Sequence, residues 1–424
     1  MKELIVNIEK NGKLIKAGTI RGNDYSDAVF CYENEYLEND NTPISISLPL
    51  QNEPFSVKQT YNFFEGLLPE GFSRKTVANY FKTNEEDYIS ILEQLGQECL
   101  GAIYIGNTSI DSAIERTYEP LSDELLKNLA AEGATTSTKI LAETHLSLTG
   151  ATGKVGVYYD EEGNKWYLPK GTAPSTHIVK QSHVRYKSIV INELICLQTA
   201  KLLGINVPDS FIINTGNGKD EDILFATKRY DRILSDIKID GLQVPYRLHQ
   251  EDFAQALGID AASKYETTKK GYIAKMFALI SNVSSKPIED TGELWRRIVF
   301  NYLIGNTDSH IKNYSLVYNN DLNKIKLAPA YDIVCTMAYN TSNDMSMYIG
   351  SKLKLNEINK TCFEEAALEA GIGKNLATKE YEKMLAGFEN ALSEATDLVK
   401  SLGYKEADNI KEKILNTGGF QYIS

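Results

Sequence analysis

The feature that most constrains the fold is the segment 293–327, in which a helix, a polar loop and a hairpin follow one another without a break. Apolar side chains recur at helical spacing through 293–303, and Gly305 offers a helix stop. After the polar loop 306–313, two short strand patterns flank a turn-rich stretch, which indicates an antiparallel hairpin at 314–327. A buried helix therefore delivers a polar loop to the open end of a hairpin.

The two ends of this hairpin carry oxygen-bearing side chains. Asn313 opens the first strand, and Asp332 lies just past the second. Because the ends of an antiparallel hairpin meet, we expect these side chains to lie close together. Magnesium takes one or two protein oxygens and completes its octahedron with phosphates and waters. The sequence therefore predicts a Mg²⁺ site at Asn313 and Asp332.

The polar loop also contains an aspartate at a meaningful spacing. Asp308 and Asn313 are separated by four residues, as in the catalytic loops of protein kinases. Phosphoryl transfer needs a carboxylate near the incoming hydroxyl, since catalysis consists largely of positioning and charge stabilisation. Alone, this spacing more often marks a helix cap or a turn. The later Asp332 and an upstream Lys180 favour the interpretation of Asp308 as a catalytic base.

Two upstream segments are suited to nucleotide phosphates. Lys180 closes an extended His-Ile-Val-Lys run that parallels the strand lysine of kinases, and its ammonium would act as a point charge. The loop 147–154 is rich in small residues, so its backbone N–H groups can approach phosphate closely. It is not a Walker A loop, because Val155 replaces the required Ser or Thr. The predicted ATP contacts are Lys180 and the loop residues Thr149, Gly150, Ala151, Thr152, Gly153 and Lys154.

Length, charge and cysteine content bound the class of protein. The 424 residues predict two or more domains. A net charge of −12 argues against holding DNA by phosphate neutralisation. Five dispersed cysteines without a C-x-x-C pair favour a reducing cytoplasm. No stretch approaches the roughly 18 to 20 apolar residues of a membrane helix, so no membrane partner is expected.

Strand and helix patterns divide the chain into three predicted parts of an α+β protein. Residues 1–108 indicate a small mixed α/β domain, which begins with a strand pair turning at Asn11-Gly12. Residues 109–140 indicate a helix and a linker. Residues 141–424 indicate a larger domain, with strands in 141–180 and a mostly helical lobe in 181–424.

More detailed patterns within the larger domain are specific enough to test. Strands are predicted at 155–159, 165–168 and 177–180, and a long helix at 375–402. One helical face is predicted to bury Ile191, Leu194, Ile195, Leu202 and Ile205, with Gly204 as the C-terminal cap.

Nine motifs follow one another over nearly the whole chain. They are Phe63–Glu70 (FFEGLLPE), Ser147–Ala151 (SLTGA), Pro169–Thr172 (PKGT), Thr176–Lys180 (THIVK), Lys228–Arg232 (KRYDR), His249–Phe253 (HQEDF), Lys264–Glu266 (KYE), Thr307–Asn313 (TDSHIKN) and Pro329–Asp332 (PAYD). In this order they resemble the motifs of the HipA family of bacterial toxin kinases. The resemblance implies a bilobed, protein-kinase-like fold with ATP and Mg²⁺ dependence.

The resemblance also assigns roles to single residues. It implies autophosphorylation at Ser147, with Thr149 as the alternative site. Added phosphate charge beside nucleotide phosphates would expel the loop and switch the enzyme off. The family often has an acidic residue at the position of Lys228, so backbone contacts carry over more directly there. The residues implied to bind adenine and ribose or to line the active centre are Lys228, Arg229, Tyr230, His310, Lys312 and Tyr331.

The function implied is that of a cytoplasmic serine/threonine protein kinase toxin. Its implied partners are a small helix-turn-helix antitoxin resembling HipB, with DNA contacted only through that antitoxin, and a protein substrate such as an aminoacyl-tRNA synthetase. Two alternatives remain, a small-molecule phosphotransferase and a catalytically silent co-repressor. Glu193 is expected on a solvated helix face and Glu70 in packing and loop structure, so both are left out of the site.

Overall fold

The computed structural model of the protein describes residues 2–39, 41–107, 116–131, 154–181 and 186–423. No helix within these ranges combines the length and the apolar character that a bilayer span requires. Most of the predicted phosphate-binding loop and of the predicted linker lies outside the described residues. The loop residues concerned are Ser147, Thr149, Gly150, Ala151, Thr152 and Gly153.

The N-terminal region is built on a four-stranded antiparallel sheet. Its first two strands form the predicted hairpin, and the turn residues Asn11 and Gly12 have φ values of 53° and 72°. Asparagine and glycine tolerate this left-handed backbone, which matches the twist of the flanking strands. The strands are β1 (Lys2–Lys10), β2 (Lys13–Gly22), β3 (Val29–Tyr32) and β4 (Ile103–Gly106), in the order β3-β2-β1-β4.

Short helices pack against this sheet and bury a core rich in aromatic rings. The ring of Phe30 lies 5.9 Å from that of Phe55 and 5.3 Å from that of Phe64, centroid to centroid. The second helix begins with a capping box between Ser56 and Gln59, which satisfies two main-chain N–H groups. The helices are α1 (Asn34–Glu38), α2 (Val57–Phe64), α3 (Gly71–Tyr80) and α4 (Tyr88–Leu95).

The next region contains a six-stranded antiparallel sheet that includes the three predicted strands. An additional strand, Arg116–Pro120, pairs with it where the sequence indicated only a helix and a linker. This strand was missed because it is short and mostly polar, so it lacks a clear apolar alternation. The elements are β5 (Arg116–Pro120), α5 (Asp123–Ala131), β6 (Lys154–Asp160), β7 (Lys165–Gly171), β8 (His177–Gln181), β9 (Ser210–Asn214) and β10 (Ile223–Lys228), with the strand order β5-β7-β6-β8-β10-β9.

Helix α6 (Ile189–Leu202) packs against this sheet. Ile191 and Leu194 are buried, as the helical spacing predicts. Leu202 is 45% exposed, so its assignment to the buried face was wrong. Leu202 is the last residue of the helix, where the chain leaves through Gly204 at a φ of 80°.

The C-terminal lobe is mostly helical and is organised around the helix Pro287–Ile304. This helix starts with proline and ends at Gly305, whose φ of 73° confirms the predicted left-handed stop. The indole N–H of Trp295, on this helix, donates to the Ala377 carbonyl at 3.0 Å. This hydrogen bond joins the helix to the long helix predicted at 375–402. The helices are α7 (Phe253–Ala256), α8 (Tyr272–Val283), α9 (Pro287–Ile304), α10 (Lys360–Glu369), α11 (Lys374–Ser401) and α12 (Ala407–Thr417).

The hairpin predicted after the polar loop is present. Leu316 lies opposite Leu327 across it, and a short third strand adds to its other side with Glu251 opposite Leu316. The short strands of this part of the chain are β11 (Arg232–Ile239), β12 (Leu242–Arg247), β13 (Gln250–Asp252), β14 (Ser315–Tyr318), β15 (Ile325–Leu327), β16 (Asp344–Ile349) and β17 (Lys352–Lys354).

The apolar core of the N-terminal region is continuous with that of the helical lobe. Polar contacts also cross between them. Asn62 donates from Nδ2 to the Gly258 carbonyl at 2.7 Å, and Gln255 donates from Nε2 to the Phe63 carbonyl at 2.9 Å. The two regions therefore pack as one body, while the predicted division at residue 108 stays a prediction.

Candidate active site

The loop after α9 is held by hydrogen bonds from its buried polar residues. Asn306 donates from Nδ2 to Asn301 Oδ1 at 2.8 Å and accepts the Asp308 N–H at 3.2 Å. The Thr307 N–H donates to Thr336 Oγ1 at 2.8 Å. These bonds fix the main chain around Asp308, whose side chain faces a cavity.

Asn313 closes the same loop at the entry to the hairpin. It ends a single 3₁₀ turn, and its Nδ2 donates to the Asp308 main-chain carbonyl at 2.8 Å. Because this bond uses the amide nitrogen, the side-chain oxygen is the atom left to bind a cation. Asp308 and Asn313 are thus joined directly, and both line the same cavity.

Asp332 lies beyond the second hairpin strand in an unusual backbone conformation. Its φ of 52° is left-handed, which costs a residue with a side chain about 1–2 kcal/mol. Its carboxylate accepts hydrogen bonds from Lys154 Nζ, at 2.8 Å, and from Lys180 Nζ. Burial raises the pKa of this carboxyl, but the two ammonium groups outweigh burial and hold the pKa well below its usual value. Asp332 therefore stays ionised.

Lys180 is buried and bonds to two carboxylates. Its Nζ donates to Glu193 Oε1 at 2.5 Å and to Asp332. Burial lowers the pKa of Lys180, but the two carboxylates outweigh it and raise the pKa above its usual value. Glu193 lies on α6 inside the protein, so its assignment to a solvated face was wrong. Nearly every side of α6 is covered, so helical spacing could not identify an exposed face.

Lys154 lies directly opposite Lys180 on the neighbouring antiparallel strand. Two ammonium groups facing each other across strands repel. Asp332 accepts a hydrogen bond from both and offsets this repulsion. Lys154, Lys180, Glu193 and Asp332 are called the active-site cluster below.

The cavity faced by these residues has a volume of about 660 Å³. Among the residues that the structure describes, its lining carries six carboxylates and four lysines, and the formal charge of this part of the lining is negative. The structure thus gathers side chains that are as far apart in sequence as Lys154 and Asp332. The predicted site residues that line the cavity are Lys154, Lys180, Asp308, His310, Lys312, Asn313, Tyr331 and Asp332.

His310 and Lys312 are buried within the loop itself. Burial lowers the pKa of His310 to about 3, so its ring is neutral at pH 7. Its Nδ1 atom has no hydrogen-bond partner among the described residues. Lys312 Nζ donates to Asp252 Oδ2 at 2.6 Å, and Tyr331 donates from Oη to the Lys312 carbonyl at 3.0 Å. An unpartnered ring nitrogen in a cavity wall fits a site that a ligand completes.

The residues implied to bind adenine and ribose lie at a smaller recess beside the main cavity. Lys180 and Tyr331 line both spaces. The ring of Tyr230 stacks on that of Tyr331 with centroids 5.9 Å apart. The half-exposed Lys228 side chain bonds Glu161 Oε1 from Nζ at 2.8 Å. Nucleotide contacts by Lys228 and Tyr230 stay predictions.

Arg229 also borders the recess, but its guanidinium points into the interior. It donates two parallel hydrogen bonds to Asp231, at 2.9 and 2.8 Å, and contacts Glu98 at 3.2 Å. Arg232 donates to Glu98 at 2.7 Å. These four residues, Glu98, Arg229, Asp231 and Arg232, are called the interior cluster below. A nucleotide contact by Arg229 stays a prediction.

Glu70 and Tyr265 were left out of the predicted site and also line the cavity. Glu70, from the N-terminal region, bonds Lys264 Nζ at 2.5 Å and lies 3.6 Å from Lys312 Nζ. Tyr265 donates from Oη to Asp308 Oδ1 at 2.5 Å. The assignment of Glu70 to packing and loop structure did not foresee its place in the cavity wall. Both residues stand in motifs noted above, FFEGLLPE and KYE, which was the available signal.

Comparison with protein families matches both regions of the chain. The family model of the HipA-like C-terminal domain matches residues 146–394. The family model of the HipA N-terminal domain matches residues 11–106. The first match includes the hairpin and the polar loop, and the second includes Glu70.

Individual relatives agree with these matches. The chain is 31% identical over 386 residues to the putative kinase Y4mE of Sinorhizobium fredii, a match that covers 88% of each protein. It is 26% identical over 381 residues to the serine/threonine-protein kinase toxin HipA of Shewanella oneidensis, covering 86% of this chain and 83% of that protein.

A solved structure shares the fold. A chain in the complex of HipA, HipB and operator DNA from Shewanella oneidensis MR-1 superposes with a TM-score of 0.78 at 21% identity. The superposition covers 99% of this chain and 97% of that chain. The α+β, kinase-like architecture expected from the sequence is thereby confirmed.

Proposed function

Because the chain belongs to the HipA family, we propose that it is an ATP- and Mg²⁺-dependent serine/threonine protein kinase acting as the toxin of a toxin–antitoxin pair. The observation that carries this proposal is the bonding of Lys180 to both Glu193 and Asp332 at the wall of the cavity that Asp308 and Asn313 also line. A cation for phosphates, oxygen ligands for a metal and a carboxylate base are the parts that phosphoryl transfer requires.

Asp308 is the proposed general base. It accepts the proton of a serine or threonine hydroxyl as that oxygen attacks the terminal phosphorus of ATP and the bond to the bridging oxygen breaks. Burial raises the pKa of Asp308, although the hydrogen bond from Tyr265 opposes the rise. A base whose pKa lies closer to neutrality takes up a proton more readily.

The charge of the cavity supports a requirement for a divalent cation. The part of the lining that the structure describes has two more carboxylates than lysines, so a bare triphosphate would meet a negative surface there. The Asn313 side-chain oxygen and the Asp332 carboxylate are hard oxygen donors, which Mg²⁺ prefers. When bound, Mg²⁺ would neutralise phosphate charge. Lys154 and Lys180 would supply the remaining positive charge.

The proposed partners follow from the relatives. A Shewanella HipA is found in a complex with HipB and operator DNA, so we assign this chain a HipB-like helix-turn-helix antitoxin. Contact with DNA would pass through that antitoxin, in line with the net charge of −12. The proposed substrate is a protein hydroxyl, with aminoacyl-tRNA synthetases as the target class. Ser147 is the proposed autophosphorylation site, with Thr149 as the alternative.

Labelling with ATP tests the proposal. Purified protein incubated with Mg²⁺ and ATP labelled at the terminal phosphate should become labelled. Asp308→Asn keeps the size of the side chain and removes the base, so labelling should fall roughly 10²- to 10⁴-fold. Asp321→Asn makes the same change in the turn of the adjacent hairpin and should label as the wild type does.

Three outcomes would contradict the proposal. Full labelling of the Asp308→Asn protein would reject Asp308 as the base. Failure of the wild type to bind ATP with Mg²⁺ in calorimetry would reject the nucleotide site. Rapid turnover of a metabolite without protein labelling would identify a small-molecule phosphotransferase instead.

A further inference from the structure

Tyr265 contacts the proposed catalytic base directly. Its phenol donates a hydrogen bond from Oη to Asp308 Oδ1 at 2.5 Å. In the proposed reaction, an acceptor serine or threonine hydroxyl must donate to this same carboxylate. We infer that the Tyr265 hydroxyl occupies the place of the acceptor hydroxyl, so that Tyr265 is a gate that an acceptor must displace. This inference rests on the proposed kinase function and concerns how the same site selects its acceptor.

The residue after Tyr265 is firmly anchored, although the segment has no regular secondary structure. Glu266 is buried, and its main-chain N–H donates to the Ser346 carbonyl at 2.8 Å. Its Oε2 accepts the Tyr348 N–H at 3.0 Å. Both partners lie on β16, so the fold sets where the main chain of Tyr265 stands relative to the cavity.

The residue before Tyr265 is held from the N-terminal region. Lys264 Nζ bonds Glu70 Oε2 at 2.5 Å. The same ammonium lies 5.4 Å from the centroid of the Tyr265 ring, within the range of a cation–π contact. The orientation of the Tyr265 ring therefore depends on residues from both regions of the protein.

The Tyr265 side chain itself is lightly held compared with its neighbours. The residue is 40% exposed at the cavity. Its ring meets the His310 ring edge-on, with centroids 5.1 Å apart and an angle of 85° between the planes. The edge contact with His310, the cation–π contact with Lys264 and the hydrogen bond to Asp308 can be broken without moving Glu266. A rotation of the Tyr265 side chain would thus free Asp308 Oδ1 while the main chain stays in place.

A hydroxyl held on the base has two consequences for a kinase. It lowers the apparent affinity for an acceptor by the fraction of molecules in which the Tyr265 hydroxyl occupies Asp308 Oδ1. Asp308 is exposed, and while Tyr265 is bound this oxygen is not free to accept a proton from water. That limits hydrolysis, in which a water oxygen bonds to the terminal phosphorus, the bridging oxygen departs with ADP and Asp308 takes the water proton. The chemical step with a seated acceptor is unaffected, so KM changes and kcat does not.

Tyr265→Phe tests the gate because it removes the hydroxyl and keeps the ring. The acceptor probe is a synthetic peptide with the sequence of residues 141–153, which contains Ser147 and Thr149. We expect KM for the peptide to fall roughly tenfold, with kcat within about twofold of the wild type. Hydrolysis of ATP without peptide should rise several-fold. Tyr348→Phe removes a phenol from the anchoring strand and should change none of these values.

Three results would overturn the gate. A fall in kcat at unchanged KM would show that Tyr265 positions Asp308 for catalysis instead. Equal values of KM, kcat and hydrolysis in the variant and the wild type would show no role for the hydroxyl. A wild type that transfers no phosphate would remove the kinase proposal and the gate together. A wild type that transfers phosphate and needs Asp308, with Tyr265→Phe unchanged, would remove the gate alone.

Discussion

The interior cluster and the active-site cluster contain the same balance of charge, two cations and two carboxylates, yet they differ in access to solvent. No side chain of the interior cluster is more than 3% exposed. In the active-site cluster the Asp332 side chain is 28% exposed and the two lysines are 11% exposed. A closed set of ion pairs joins parts of the fold, whereas an open set can exchange a partner for a ligand.

The choice of cation follows the same division. In the interior cluster, Arg229 binds Asp231 through two parallel hydrogen bonds, which fixes distance and orientation together. The active-site cluster uses Lys154 and Lys180, whose ammonium groups act as point charges on flexible stems. Arginine thus holds a permanent contact, and lysine serves a contact that phosphate is proposed to take over.

Opening the interior cluster should have the largest effect on stability. Glu98→Gln leaves Arg229 and Arg232 with one carboxylate between them in a region that water does not reach. We expect a loss of about 3–5 kcal/mol in the free energy of unfolding, measured by denaturant titration. Glu161→Gln, which removes the surface partner of Lys228, is the control and should cost less than about 1 kcal/mol. Equal losses in the two variants would refute the distinction between closed and exposed pairs.

Glu251 extends the comparison to a buried carboxyl whose hydrogen-bond partners are uncharged. It accepts from the Ser45 and Tyr318 hydroxyls and from the Ile46 N–H. Burial raises its pKa from 4.5 to about 7. Because the folded-state pKa is the higher one, the stabilising contribution is present below about pH 4.5 and is lost as the pH rises through about 7.

The pH dependence of unfolding can show this effect. The stability of the wild type relative to Glu251→Gln should decrease by roughly 3 kcal/mol between pH 4.5 and pH 8. Urea titrations of both proteins at these two pH values supply the measurement. Parallel pH profiles would mean that the pKa of Glu251 is not raised in the folded protein. The pKa of Asp231 in the interior cluster is shifted in the opposite direction. Burial raises this pKa, but the two arginines outweigh burial and hold it below its usual value.

Glu193→Gln removes one of the two carboxylates of the active-site cluster, just as Glu98→Gln removes one of the two carboxylates of the interior cluster. Lys180 keeps Asp332 as a partner, and the cavity admits water, so the loss of stability should be smaller than for Glu98→Gln. Autophosphorylation should fall on the order of 10- to 100-fold, because Lys180 loses one of the two groups that hold it. Autophosphorylation rates and unfolding midpoints of Glu193→Gln and Glu98→Gln are the measurements that check both expectations. A stable protein with unchanged activity would show that Glu193 does not position Lys180.

Residues close in sequence were the ones that sequence patterns could place. The helix, the stop at Gly305, the loop and the hairpin all depend on local spacing, and all are present in the structure. Their connectivity placed Asp308, Asn313 and Asp332 beside one cavity, as expected. The strand Arg116–Pro120 was not predicted, because its pairing with a neighbouring strand, and not its composition, makes it a strand.

Residues contributed by distant elements were missed for a related reason. Glu193 lies on a helix with almost no exposed side, and Glu70 enters the cavity from the N-terminal region. Nothing in the neighbouring sequence distinguishes a carboxylate that meets a lysine from one that meets water. Tyr265 stood in a noted motif, yet only the folded chain shows that its hydroxyl reaches Asp308.

The sequence by itself indicated the helix, loop and hairpin of 293–327, the order of the motifs and the candidate base and metal ligands, because turns, caps and apolar periodicity act over a few residues. The tertiary structure alone decided which charges meet. Lys154 and Asp332 are 178 positions apart, and their contact exists only in the folded chain. Ion pairs gain their strength from burial and close approach, and both are properties of the folded chain.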